Sequence, residues 1–160
     1  MSKLIGLLSI FVLFSLASCS QVLKAEHDEI AVVKPSLSED KVAVRIGFIG
    51  KWLSKQSTKG GGSREAIINR FEDGQYIIEI KIFNSSGVLT TIQKEFGFWG
   101  VSGGVYFTIH RGWIADDQLY SSDPSDAYHY DSYDIIEISN NKLKYQSLSG
   151  GDTYTYLKIN

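Results

Sequence analysis

Asp73-Gly74-Gln75-Tyr76-Ile77-Ile78-Glu79-Ile80-Lys81-Ile82-Phe83 is the stretch whose reading decides the fold. Asp-Gly is a strong hairpin signal, because the turn that matches strand twist needs positive φ at its centre. Beyond it the pattern has a period of two. Tyr76, Ile78, Ile80 and Ile82 fall on one face, and Glu79 and Lys81 on the other. A helix would place its apolar residues three and four apart, so this alternation reads as a half-buried strand.

The same grammar extends in both directions. Upstream, Arg64 to Glu72 is a strand entering the same turn, and Lys55 to Ser63 is a polar loop holding Gly60, Gly61 and Gly62. Before that loop, Val42, Val44 and Ile46 alternate with Ala43, Arg45 and Gly47, and the strand continues to Leu53. Downstream, Asn84 to Gly87 is a turn, Val88 to Phe96 a strand running into the glycine-rich Gly97 to Gly104, and Val105 to Arg111 a strand. Ala115 to Asp126 is a polar, Asp-rich loop with Pro124. Strands at Tyr128 to Ser139, Lys142 to Leu148 and Thr153 to Ile159 follow, joined by Asn140-Asn141 and by Ser149 to Asp152. No segment has a helical period of useful length. The expectation is an all-β, antiparallel up-and-down meander of about eight strands that hides its edges by closing into a barrel. A two-sheet sandwich is the second choice.

The start of the chain follows different rules. Lys3 supplies a positive charge, Leu4 to Leu16 is mostly apolar, and Ala17-Ser18 are small residues ahead of Cys19. That run suits a signal peptide and is short for a membrane span. Leu16-Ala17-Ser18-Cys19 is similar to the lipobox of bacterial lipoproteins, which implies cleavage before Cys19 and lipidation of its thiol. With Ser20 following, the resemblance points to the outer membrane of the cell envelope. Cys19 is the sole cysteine of the 160 residues, so no disulfide can staple the domain. Residues 1–19 thus read as a lipoprotein signal peptide, 20–41 as a flexible tether and 42–160 as the barrel domain. A flexible tether of about twenty residues has an r.m.s. span of roughly 25 Å.

Gly50-Lys51-Trp52 is similar to the N-terminal signature of lipocalins. Arg70-Phe71-Glu72-Asp73-Gly74-Gln75-Tyr76, Glu95 to Trp99, Tyr133-Asp134-Ile135 and Leu143-Lys144-Tyr145 also look like parts of small lipocalin-like domains of bacterial lipoproteins. The resemblance covers about residues 48–159. It implies that Trp52 plugs the closed end of the barrel beneath a basic side chain from the last strands, here Lys158. The sequence departs from the family in having no Thr-Asp-Tyr motif and no segment that reads as a packing helix. The inward stripe is Trp52, Tyr76, Ile78, Ile80, Ile82, Val105, Phe107, Ile109, Leu143 and Tyr145, and the ligand-pocket candidates within it are Tyr76, Ile78, Ile80, Val105, Phe107, Ile109, Leu143 and Tyr145. Eight short strands enclose room either for side chains alone or for one small ligand. Both interiors stay open at this point.

Other motifs point away from chemistry. Gly100-Val101-Ser102-Gly103-Gly104 fits the Gly-x-Ser-x-Gly pattern, but a nucleophile elbow needs a following helix, and Val105 to Ile109 reads as strand. His110, His129, Asp116, Asp117, Asp123, Asp126 and Asp131 lack metal-ligand spacing, and the Asp residues suit turns. Lys59-Gly60-Gly61-Gly62-Ser63 lacks the order of a phosphate loop, and is a candidate mobile lid. Tyr128, Tyr130, Tyr133, Tyr154 and Tyr156 cluster late in the chain, where some must face outward. The net charge is −2 with both signs interspersed, so nothing favours nucleic acid. The expected molecule is a lipoprotein with no catalytic set, metal or cofactor, held to a membrane by its N-terminal lipid. Its barrel binds a small apolar or amphipathic ligand, or, if filled, serves as a protein-interaction or structural module of the envelope.

Overall fold

The computed structural model describes residues 39–160. The segment read as a signal peptide, Cys19 and residues 20–38 of the segment read as a tether lie outside the described residues. Helix α1 (Glu39–Phe48) comes first, followed by β1 (Gly50–Ser57), β2 (Ser63–Arg70), β3 (Gln75–Phe83), β4 (Leu89–Ser102), β5 (Val105–Ala115) and β6 (Gln118–Ser121). A 3-10 turn over Ala127–His129 then leads into β7 (Tyr130–Ile138), β8 (Lys142–Ser147) and β9 (Thr153–Ile159). Eight strands close a ring in the order β4-β3-β2-β1-β9-β8-β7-β5, with β5 returning to β4. Every pairing is antiparallel. The fold is the closed up-and-down barrel that the alternation and the tight turns require. β3 has the bounds read from the sequence, and its inward residues Tyr76 and Ile78 are buried.

Two elements differ from the sequence reading. Val42, Val44 and Ile46 do not lie on a strand but on α1. The alternation there is accidental, since Val42 and Ile46 face solvent while Val44 and Phe48, four residues apart, turn toward the protein. Asp40 in the first turn and Arg45 in the last suit the helix dipole. Glu39 to Lys41 therefore belong to this helix, within the segment read as tether. The helix lies against the closed end of the barrel. The Phe48 ring is fully buried there, the Arg45 guanidinium sits 4.6 Å from the Trp99 ring centroid, and Arg45 Nη2 donates to the Glu72 carbonyl at 2.8 Å. Gly47 permits the approach, because a Cβ there would stand 2.9 Å from Ile138 Cγ2.

The second difference is β6, which falls inside the stretch read as a polar loop. Asp116 and Asp117 take φ values of 49° and 57°, as the two central residues of a type I′ hairpin require, and fold β6 back onto the far half of β5. Gly103 and Gly104 make the equivalent turn between β4 and β5, with φ of 57° and 87°. Ser102 thus precedes a hairpin and a strand, not a helix.

At the closed end the interior is solid. Phe48, Trp52, Trp99, Tyr106, Leu143, Tyr145 and Tyr156 form one buried cluster, with Phe48 and Tyr106 stacked at 4.9 Å and Tyr145 and Tyr156 at 5.5 Å. No helix among the described residues is long and apolar enough to cross a membrane.

Candidate functional site

Above that floor the barrel is open. A cavity of about 410 Å³ occupies the half toward the mouth, where β2, β3, β7, the β1–β2 loop and the Asp-rich loop meet. This volume falls in the range of small-molecule pockets. Its walls come from the inward face of most strands, so strand parity decides which side chains reach it.

Trp52 and Lys158 face each other in register across β1 and β9, with Lys158 Nζ 5.2 Å from the Trp52 ring centroid. Trp52 is fully buried and its Nε1 donates to the Phe48 carbonyl at 3.0 Å, which satisfies a carbonyl at the end of α1. Among the expected pocket residues, Tyr76, Ile78, Ile80 and Tyr145 line the cavity. Val105, Phe107 and Ile109 do not. Over Val105 to His110 the β5 lining residues are Tyr106, Thr108 and His110, so this part of the strand presents the opposite face to the one its apolar residues suggest. The interior here is aromatic and polar, and the Phe107 ring instead lies outside against Gly100, where a Cβ would come 2.4 Å from it. Leu143 is fully buried in the floor and lines nothing.

A bulge brings in one more side chain. Phe96 pairs with Gly112 and Gly97 with His110, leaving Arg111 as the extra residue of β5. The extra residue shifts parity, so His110 and Trp113 both line the cavity. Their rings meet edge-on at 4.7 Å, and the His129 ring packs 4.8 Å from His110. Across the strand pair, the absence of a side chain at Gly97 leaves room for Tyr76, whose ring would lie 2.8 Å from a Cβ there.

The Asp-rich loop is organised by its own hydrogen bonds. Asp123 accepts from the Ser125 amide and hydroxyl at 2.8 and 2.7 Å, Asp126 accepts from the Tyr128 amide at 2.9 Å, and Tyr130 donates to the Pro124 carbonyl at 2.8 Å. These contacts seat His129 at the rim, its Nδ1 2.9 Å from the Asp123 carbonyl. Tyr133, Tyr154 and Tyr156 line the interior, whereas Tyr128 touches the cavity edge and is 92% exposed.

Arg70 is the residue that sequence reasoning missed. It lies at the end of β2 and is 1% exposed. Its Nε donates to the Tyr106 hydroxyl at 3.0 Å and its Nη2 to the Tyr145 hydroxyl at 3.1 Å. Its guanidinium carbon lies 4.7 Å from the Tyr106 ring, 5.4 Å from Phe48 and 5.7 Å from Tyr156. The charge is held by phenol oxygens and ring faces, with no ion pair among the described residues. Burial pushes the phenols of Tyr76, Tyr106, Tyr133 and Tyr145 above their ordinary range, so these groups stay protonated and serve as neutral donors and acceptors. The one signal that could have found Arg70 is positional. It shares a face with Ile68 and Ala66, both inward.

Higher in the cavity, His110 Nδ1 lies 3.3 Å from Glu95 Oε2. Burial lowers the His110 pKa, His129 works in the same direction, and Glu95 opposes them. Asp131, Gln93 and Arg64 complete the polar lining.

No family model matches the chain, and no curated protein matches it. A solved structure described as a lipocalin-like protein from Bacteroides uniformis is similar to 71% of this chain and 99% of its own, at 17% identity and a TM-score of 0.42. The barrel assignment rests on the strand pairing itself.

Proposed function

We propose that the chain is a lipid-anchored protein of the outer membrane whose barrel is a non-catalytic binding domain for a small amphipathic ligand. The observation that carries this is the half-filled interior. An aromatic floor closes one end, and above it stands a cavity of about 410 Å³ whose walls mix Ile68, Ile78 and Ile80 with tyrosines and charged groups. A purely apolar ligand would leave those polar groups dry and unpaired, which favours an amphipathic one. The same cavity weighs against the filled barrel of a purely structural module. The non-catalytic reading draws on side-chain placement. Among the described residues His110 Nε2 is buried without a hydrogen-bond partner, so no hydroxyl or thiol there is held against the Glu95–His110 pair.

The anchor rests on the lipobox-like Leu16-Ala17-Ser18-Cys19 and the tether behind it. A Cys19→Ser chain is expected in the soluble fraction after cell lysis, and continued sedimentation with membranes would overturn the lipoprotein reading. N-phenyl-1-naphthylamine, a neutral and largely apolar fluorophore with one N–H, should brighten on entering the cavity of the soluble Cys19→Ser chain. No saturable binding of this probe or of any small charged aromatic would overturn the ligand-binding reading.

A further inference from the structure

The charges at the cavity mouth narrow the class of ligand. Arg64 is the second residue of β2 and Asp131 the second residue of β7, and both strands run downward from the mouth. Around the ring, β2 and β7 are separated by β3, β4 and β5 on one side and by β1, β9 and β8 on the other. The two residues therefore stand on opposite walls at the same end, and both line the cavity.

Each wall offers one kind of group. Arg64 pairs in register with Gln56 and Ile82, neither of which carries a charge, and the adjacent Glu65 is bound on the other face to Lys55 at 2.7 Å. The Arg64 Nη1 atom is buried and has no hydrogen-bond partner among the described residues. It is a donor without an acceptor. On the far wall the groups are acceptors. Asp131 has no ion-pair partner among the described residues. His110 Nδ1 lies 3.3 Å from the Glu95 carboxylate, which favours the tautomer with its proton on Nδ1 and Nε2 as a lone-pair acceptor, and among the described residues that atom too is buried and unpartnered. Burial keeps this imidazole in the neutral form that can accept. Between the walls stand Tyr76, Tyr133 and Tyr154, whose rings suit a flat or apolar body.

We infer that the cavity takes a small zwitterionic ligand, with its anionic group at Arg64, its ammonium group at Asp131 and His110 Nε2, and its apolar body among the tyrosines. An anion alone would leave the acceptor wall unpaired, and a cation alone would leave the guanidinium unpaired. The inference rests on the reading of the barrel as a binding domain.

The test titrates four ligands built on one ring into the full chain carrying Cys19→Ser at pH 7, followed by calorimetry. They are 4-(aminomethyl)benzoate, benzoate, benzylamine and benzyl alcohol. The zwitterion is expected to bind at least tenfold more tightly than the other three. Arg64→Gln should weaken the zwitterion at least tenfold and leave benzylamine unchanged. Asp131→Asn should weaken the zwitterion and benzylamine and leave benzoate unchanged, which supplies an independent arm if Arg64→Gln does not fold. Near-ultraviolet circular dichroism checks each variant. Equal affinity for benzyl alcohol and the zwitterion overturns the inference, as does failure of all four ligands while N-phenyl-1-naphthylamine still binds. In both cases the binding domain itself stands. Failure of every probe removes both readings together.

Discussion

At Arg70 a guanidinium lies between two phenol hydroxyls and three aromatic faces, beneath a cavity rather than at a surface. Removing it strands the Tyr106 and Tyr145 hydroxyls and opens a void in the floor. Arg70→Ala should therefore cost about 3–5 kcal/mol in urea unfolding. Arg70→Met refills most of the volume and removes the buried charge but leaves the same two hydroxyls without a donor, so a smaller loss of about 1–3 kcal/mol is expected. Equal losses in the two variants would show that the charge, not the packing, is what matters. His110 supplies a pH dependence. Its folded pKa lies below the ordinary 6.5, so the unfolded chain takes up the proton first as pH falls. The stability that neutral His110 contributes is complete above about pH 6.5 and is lost as pH drops toward its own depressed pKa. Melting temperatures measured between pH 7.5 and 5 should fall less steeply in His110→Asn than in the parent chain. Parallel curves would refute this.

The elements show where pattern succeeds as a guide and where it fails. β3 was legible because one face of it is apolar and the other charged, and only one period fits. α1 was not, because Val42, Val44 and Ile46 carry an alternation whose outer members are simply exposed. Its real determinants, Arg45 over Trp99 and Phe48 among Trp99, Tyr106 and Tyr145, are contacts with strands far along the chain. β5 carries apolar residues on one face and Tyr106, Thr108 and His110 on the other, and hydrophobicity favours the wrong face when the interior is a polar cavity. The Arg111 bulge that redirects Trp113 depends on pairing with β4, so no local signal announces it. Two predictions belong at this scale. Phe48→Ala should lose about 3–5 kcal/mol in urea unfolding, since the ring is the plug through which α1 joins the floor. Asp117→Gly should gain about 0.5–1 kcal/mol, because a residue at φ 57° in the β5–β6 turn is held where glycine pays no steric penalty. A loss on that substitution would mean that the Asp117 side chain holds the turn.

For the whole molecule, the barrel combines a rigid end and a hollow one. α1, Trp52 with Lys158, and the Arg70 cluster seal the first, and short loops surround the second. Closure of the meander followed from tight turns and alternation, and it was readable from residues such as Asp73-Gly74. The cavity was not, because its existence depends on which large side chains lean toward the floor and which toward the mouth. The central claim is that this hollow end holds a small molecule. Native mass spectrometry of the Cys19→Ser chain, incubated with 4-(aminomethyl)benzoate or N-phenyl-1-naphthylamine, tests it most directly when paired with Thr108→Trp, which places an indole in the cavity. The account predicts a one-to-one complex with the parent chain that is lost in a folded Thr108→Trp variant. A complex of equal strength in both, or in neither, would contradict it.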